Sequence, residues 1–241
     1  MTQATPHRPR LAVAGLTPLT SLDYPDHLSC VVFLQGCPLR CGYCHNPQML
    51  APRQAEPSEW AEVEAFLERR RGLLEAVVFS GGEPTLHADL AQAIERVHAL
   101  GFKVGLHTAG VYPRRLQTLL PRLDWVGLDV KGPGADFDRI VGRPGMAAAH
   151  ERSLTLLLES GIRFECRTTV HWYDFDLASL QRLALGLAER GIAHYAIQMA
   201  RPGQCLDPRY AEPGPGSWHA DALASLVETL RPAFQRLELR R

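Results

Sequence analysis

The chain has 241 residues, 46% of them hydrophobic, and its 26 acidic side chains balance its 26 basic ones. That composition suits an ordinary globular core, and with no basic excess it argues against a nucleic-acid partner. Apolar runs of strand length, about 4–8 residues, fall short of the ~20 a membrane span needs, and the opening MTQATPHRPR lacks a secretion signal's apolar stretch, so a cytoplasmic chain is expected.

Residues 11–28 read as a short strand or hairpin leading into the first core strand. Strands are predicted at Cys30–Leu34, Ala76–Ser80, Lys103–His107, Trp125–Val130, Phe164–Val170 and Tyr195–Met199, mostly as continuous apolar runs covered on both faces. Helical patterns lie between them. Ser58 is expected to cap a helix burying Val63, Phe66 and Leu67. Asp89 and Ser153 precede two further helices, and Leu180, Leu183 and Leu187 stripe another. Three helices end alike, at Gly101, Gly161 and Gly191, each followed by an apolar residue that opens a strand. The repeated unit predicts one α/β domain over 1–241 with a parallel sheet. Its β/α core spans 29–200, and 201–241 holds a Pro/Gly-rich loop (201–216) and a helix at Trp218–Leu230. Six strands suit an incomplete β/α barrel, and spacing alone leaves a flat doubly wound sheet open.

The first core strand runs into Cys37-Pro-Leu-Arg-Cys41-Gly-Tyr-Cys44, at the carboxyl end where such folds bind cofactors. Three thiolates within eight residues can hold three irons of a cubane cluster and leave the fourth open. A zinc site lacks a second ligand pair, the nearest fourth donor being His45, and a disulfide is disfavoured in the cytosol. Cys30 and Cys166 sit in apolar strand patterns as core residues, and Cys205 stands alone in the late loop. Only Lys103 and Lys131 among the basic residues are lysine, a hint that an ammonium is wanted there.

The C-x-x-x-C-x-x-C spacing with Tyr43 before the last cysteine resembles the radical S-adenosylmethionine (SAM) superfamily, and Ser80-Gly81-Gly82-Glu83-Pro84 resembles its GGEP element. The resemblance implies a partial (β/α)6 barrel, a [4Fe-4S] cluster on Cys37, Cys41 and Cys44, and SAM chelated to the open iron. Reduction of the cluster then splits SAM into methionine and a 5′-deoxyadenosyl radical. Gly81, Gly82 and Glu83 are expected to hold the SAM amino group. The tokens Ser21–Pro25, Phe33–Cys37 and Cys44–Pro47 resemble activating enzymes of glycyl radical enzymes, nearest to those of anaerobic ribonucleoside-triphosphate reductase and pyruvate formate-lyase.

That branch implies further roles. Lys131 would contact the SAM carboxylate, and Asp129 would help hold a monovalent cation. Thr108, Arg167, Thr169, Asn46 and Tyr43 would lie near SAM. His107 and Ala109 depart from the branch's Asp and Asn at the cation site. The implied partners are a glycyl radical enzyme and an electron donor of the flavodoxin or ferredoxin type. Trp172, Tyr173, Phe175 and the 201–216 loop are candidates to line the barrel mouth. The alternatives are a radical SAM enzyme acting on a small molecule or another protein, and a non-catalytic iron–sulfur or zinc protein.

Overall fold

The computed structural model describes residues 9–201, 203, 205–212, 214 and 220–240. One eight-stranded sheet runs through the chain in sequence order: β1 (Val13–Thr20), β2 (Ser29–Leu34), β3 (Ala76–Gly81), β4 (Lys103–Thr108), β5 (Trp125–Asp129), β6 (Arg163–Val170), β7 (His194–Met199) and β8 (Arg236–Arg240). β1 pairs antiparallel with β2, and every later neighbour is parallel. The six predicted strands are all present. The sheet extends beyond them at both edges, because β1 folds back on β2 and β8 adds to β7. β8 escaped prediction because Arg236-Leu-Glu-Leu-Arg240 alternates charge with leucine and reads as a solvated end; Glu238 in fact pairs with both Arg236 and Arg240, and Arg240 also with Glu165.

Helices α1 (Pro57–Glu68), α2 (Leu90–Ala99), α3 (Pro113–Leu119), α4 (Gly134–Ile140), α5 (Met146–Ser160), α6 (Leu177–Glu189) and α7 (Ala220–Leu230) follow the strands in turn. Their apolar sides and the outward sides of the strands form the main core, which includes Cys30 and Cys166, both fully buried. Gly101, Gly161 and Gly191 have φ of +92°, +71° and +83°, the left-handed stops expected.

Several caps differ from expectation. Glu56, not Ser58, is the N-cap of α1, and the Ser58 side chain lies outside the described residues. Asp89 is the N-cap residue of α2, directly before Leu90 as expected, while its carboxylate accepts from the Arg10 backbone N–H at 2.8 Å instead of from the helix. α5 starts at Met146, since Ala147, Ala148 and Ala149 extend the helix upstream, and Ser153 lies inside it, donating to the Gly110 carbonyl at 2.6 Å. Trp218 lies outside the described residues, and α7 begins at Ala220. No helix among the described residues is long and apolar enough to cross a membrane.

The barrel interior is filled from its base. Tyr24, Val31, Ala76, Val78 and Trp125 form a second apolar cluster there. Tyr24 is carried in by the loop after β1 and packs 5.4 Å from Trp125 between ring centroids. Gly105 makes room for it: a Cβ there would sit 3.0 Å from the Tyr24 ring. Polar side chains of β5 to β8 occupy the upper part of the interior.

Candidate cluster and cofactor site

The cysteine loop crosses the top of the barrel and is fixed from several sides. Backbone N–H groups of Gly36, Cys37 and Arg40 donate to the carbonyls of Met49, Leu50 and Val141. The Gly81-Gly82 turn lies beneath it. A Cβ on Gly82 would overlap the Gly36 carbonyl, and Glu83 N–H donates to that carbonyl at 2.9 Å, so only glycine lets the two loops approach this closely. From above, Leu206 and Asp207 N–H donate to the carbonyls of Cys44 and Gly42, each at 3.0 Å. The Tyr210 ring lies where a Cβ on Gly42 would be.

A cavity of about 140 Å³ opens between these elements and the strand ends. Cys37, Cys41 and Cys44 line one side, with Tyr43 and Asn46 beside them; Gly81, Gly82 and Thr108 line the next; Asp129, Lys131 and Arg167 close the far side. Larger grooves elsewhere, two of them on the outer helical layer, hold none of the predicted cluster or cofactor residues.

Two predicted residues do not line the cavity. Thr169 is on the interior face of β6 but its hydroxyl accepts from Gln198 Nε2 at 2.7 Å. Glu83 is 1% exposed, and its carboxylate accepts from the Thr85 N–H and hydroxyl, the Thr108 hydroxyl and the Ala109 N–H. It therefore ties the β3 and β4 turns together. Burial raises its carboxyl above the ordinary range, against the pull of those four bonds.

The far side is charged. Arg167 donates to Asp129 Oδ1 from Nε (3.1 Å) and Nη2 (2.9 Å), and Lys131 Nζ lies 3.4 Å from Asp129 Oδ2. Burial alone would raise the Asp129 carboxyl, but Arg167 and then Lys131 outweigh it and hold it at about 2. Lys131 also reaches the Tyr43 hydroxyl at 3.3 Å. His107 departs from the branch pattern and serves another purpose: Nε2 donates to the Asp23 carbonyl at 2.9 Å, fastening the basal loop. Burial, then the Arg167 charge, lowers its pKa to about 3, so the ring is neutral.

The donor set fits a cluster better than a single ion. Among the described residues no three His, Cys, Asp or Glu side chains gather closely enough to hold one metal ion, while the three thiols share one cavity wall and no disulfide consumes them. His45 does not line the cavity, and its Nε2 accepts from Arg201 N–H at 3.2 Å. Burial pushes the Cys37 thiol up to about 12 and raises Cys41 as well, so cluster binding must displace their protons. Cys37, Cys41 and Cys44 would hold the cluster, and the cavity beside them would take SAM. The pair supplies one-electron cleavage of a sulfonium carbon–sulfur bond. A monovalent cation fits less well, since both Asp129 oxygens already face cationic side chains.

The 201–216 loop expected at the barrel mouth forms a strap over the cysteine loop, through contacts the sequence reading does not single out. Tyr210 donates to Asp174 Oδ1 at 3.0 Å and packs on His171 and Tyr173. Arg139 Nη1 holds the same buried Asp174 at 2.8 Å. Of the expected mouth residues, Tyr173 is exposed near the strap, Phe175 is buried in the core and Trp172 packs against it. The nearest signal was Gly42, whose missing side chain leaves space for a ring.

The family model described as the Radical SAM superfamily matches residues 31–175. A Methanocaldococcus jannaschii protein named as a glycyl-radical enzyme activating enzyme is 30% identical over 206 residues, 82% of this chain and 83% of that protein. The pyruvate formate-lyase-activating enzyme of Streptococcus mutans is 32% identical over 137 residues, half of each chain. The PqqA peptide cyclase of Methylocella silvestris is 29% identical over 82% of this chain, which spans 54% of that protein. Among solved structures, Streptococcus suis SuiB bound to S-adenosylmethionine superposes on 86% of this chain and 48% of its own, with a TM-score of 0.64 at 14% identity, a likeness of fold alone. The three-cysteine loop, the glycine turn under it and the partial barrel that holds both are those of the radical SAM superfamily, and this chain is an enzyme of that superfamily, using a [4Fe-4S] cluster and SAM.

Proposed function

We propose that this enzyme activates a glycyl radical enzyme, with an anaerobic ribonucleoside-triphosphate reductase as the partner. The observation that carries the reading is the 30% identity to an activating-enzyme relative across 82% of this chain and 83% of that one. The tokens Ser21–Pro25, Phe33–Cys37 and Cys44–Pro47 support the choice of reductase.

SAM would be held in the cavity beside Cys37, Cys41 and Cys44, whose far side is closed by Asp129, Lys131 and Arg167. One electron from a flavodoxin- or ferredoxin-type donor cleaves SAM to methionine and a 5′-deoxyadenosyl radical. That radical takes one hydrogen atom from a glycine Cα of the partner, giving 5′-deoxyadenosine and a glycyl radical. Selection is geometric, because the radical attacks only the carbon held against it. The floor built by Tyr24 and Trp125 closes the barrel base, so the glycine loop enters from the cysteine side.

The test is anaerobic. Reconstituted enzyme, reductant, SAM and the reductase are mixed, and 5′-deoxyadenosine and the glycyl radical resonance are followed. Both are expected together. Deoxyadenosine with no glycyl radical on any of several glycyl radical enzymes supports a second reading, a peptide or small-molecule substrate, which the similarity to PqqA peptide cyclases favours.

A further inference from the structure

Asp129 and Arg167 are register partners on β5 and β6, at the end of the strands that opens into the cavity. Arg167 is 7% exposed and places Nε and Nη2 on one carboxylate oxygen. The second oxygen faces Lys131 at 3.4 Å. This arrangement is built into the sequence two residues earlier on β5. A Cβ on Gly127 would stand 2.9 Å from Arg167 Cζ and 3.0 Å from Nη1, so the bare backbone at 127 is what admits the guanidinium.

The other donors that a hard monovalent cation would draw on are committed elsewhere. His107 spends Nε2 on the Asp23 carbonyl and offers no carboxylate. The Thr108 hydroxyl donates to Glu83 and accepts from Gly110 N–H. Hard cations are held by several oxygens at once. Here one carboxylate remains, already shared by two cations whose charge would repel a third.

We propose that the Arg167 guanidinium is a built-in countercation for Asp129, a positioning residue that replaces a bound monovalent cation, so that SAM binding in this enzyme is independent of sodium and potassium. The inference rests on the placement of SAM in this cavity, as proposed above.

The experiment measures SAM binding to the reconstituted, oxidised holoenzyme by anaerobic calorimetry. It is run at one ionic strength in sodium, potassium or tetramethylammonium chloride, the last being too large to enter a carboxylate site. Wild-type affinity is expected to agree within about twofold across the three salts. Arg167→Met keeps the side-chain length and removes the charge. It is expected to bind at least about tenfold more weakly in tetramethylammonium and to recover in part in sodium or potassium. Arg167→Lys keeps a charge and should stay indifferent to the salt. A wild-type affinity that rises about tenfold with either alkali cation overturns the proposal. So does an Arg167→Met enzyme that is unaffected, or weakened equally in all three salts. Iron content of each variant is measured first, and the wild-type comparison decides on its own if a variant fails to load. No glycyl radical is read, so a wrong partner leaves the inference standing. Loaded wild-type enzyme that binds SAM in no salt overturns the cavity assignment and the inference together.

Discussion

Tyr43 Oη and Lys131 Nζ lie 3.3 Å apart, a contact that joins the cysteine loop to the residues just past β5. The ammonium also sits 5.5 Å from the Tyr43 ring centroid. Burial works against its charge, and the Tyr43 hydroxyl and the Asp129 carboxylate hold it protonated.

Lys131→Met should therefore weaken SAM binding without loss of the cluster. A hydrogen bond to a charged group is worth about 1.5–3 kcal/mol, so affinity should fall roughly ten- to hundredfold. Lys131→Arg should not rescue it, because a planar fork is bulkier than an ammonium. The measurement is an anaerobic SAM titration alongside iron and sulfide assays. Unchanged affinity would remove Lys131 from the binding site.

Five of the six cysteines divide into two groups by position, and Cys205 stands apart in the late loop. Cys37, Cys41 and Cys44 line the cavity, whereas Cys30 and Cys166 are fully buried in the helix-facing core. Serine at 37, 41 or 44 should abolish stable cluster loading. Cys205→Ser should load normally, although Cys205 lies near Cys44. Cys166→Ala should load too, at a stability cost of about 1 kcal/mol. Iron and sulfide content after reconstitution separates the two groups, and normal loading of a Cys41→Ser chain would refute the ligand assignment.

The strap over the cysteine loop should protect the cluster. Tyr210→Ala removes the ring from Gly42 and leaves the buried Asp174 with Arg139. Cluster absorbance in air should then decay several-fold faster than in wild type. Gly42→Ala should act the same way, because its Cβ collides with that ring. Tyr210→Phe, which keeps the ring and loses the bond to Asp174, should fall between. Equal decay rates for all four proteins would show that the strap shields nothing.

Two buried histidines set an acid limit on stability. His150 stacks on Phe137 with centroids 4.5 Å apart, lies 2.9 Å from the Ala109 carbonyl through Nδ1, and has no partner among the described residues on buried Nε2. Burial lowers its pKa to about 4, and that of His107 to about 3. Both lie below the unfolded value of about 6.5, so below that pH the unfolded chain binds more protons and the fold loses stability as pH falls. Each histidine should contribute about 1 kcal/mol per pH unit between roughly pH 6 and 4.5. Urea midpoints at several pH values should show the slope, and His150→Asn should reduce it.

The strands of the core and the cysteine loop were legible because their signals are local. Alternation, apolar runs and left-handed glycines need only neighbours, as at Gly101, Gly161 and Gly191. The helices at Pro113–Leu119 and Gly134–Ile140 were not, being too short for their periodicity to stand out. Contacts between distant segments were harder still. Nothing near Glu83 indicates that its carboxylate turns away to the β4 turn, and nothing near Tyr210 announces Gly42. His107 was noticed only as a departure; its partner, the Asp23 carbonyl, lies 84 residues earlier in the chain.

The order of strands in the sheet equals their order in the chain. Each strand can therefore dock on its predecessor as it leaves the ribosome, with little waiting for distant partners. The cysteine loop is the exception. It is synthesised early, yet its upper wall comes from Leu206, Asp207 and Tyr210. A nascent chain thus displays three bare thiols for most of its synthesis before the segment that roofs them emerges. Cluster delivery has a time window, open while the loop is accessible and narrowed once the late segment closes over it.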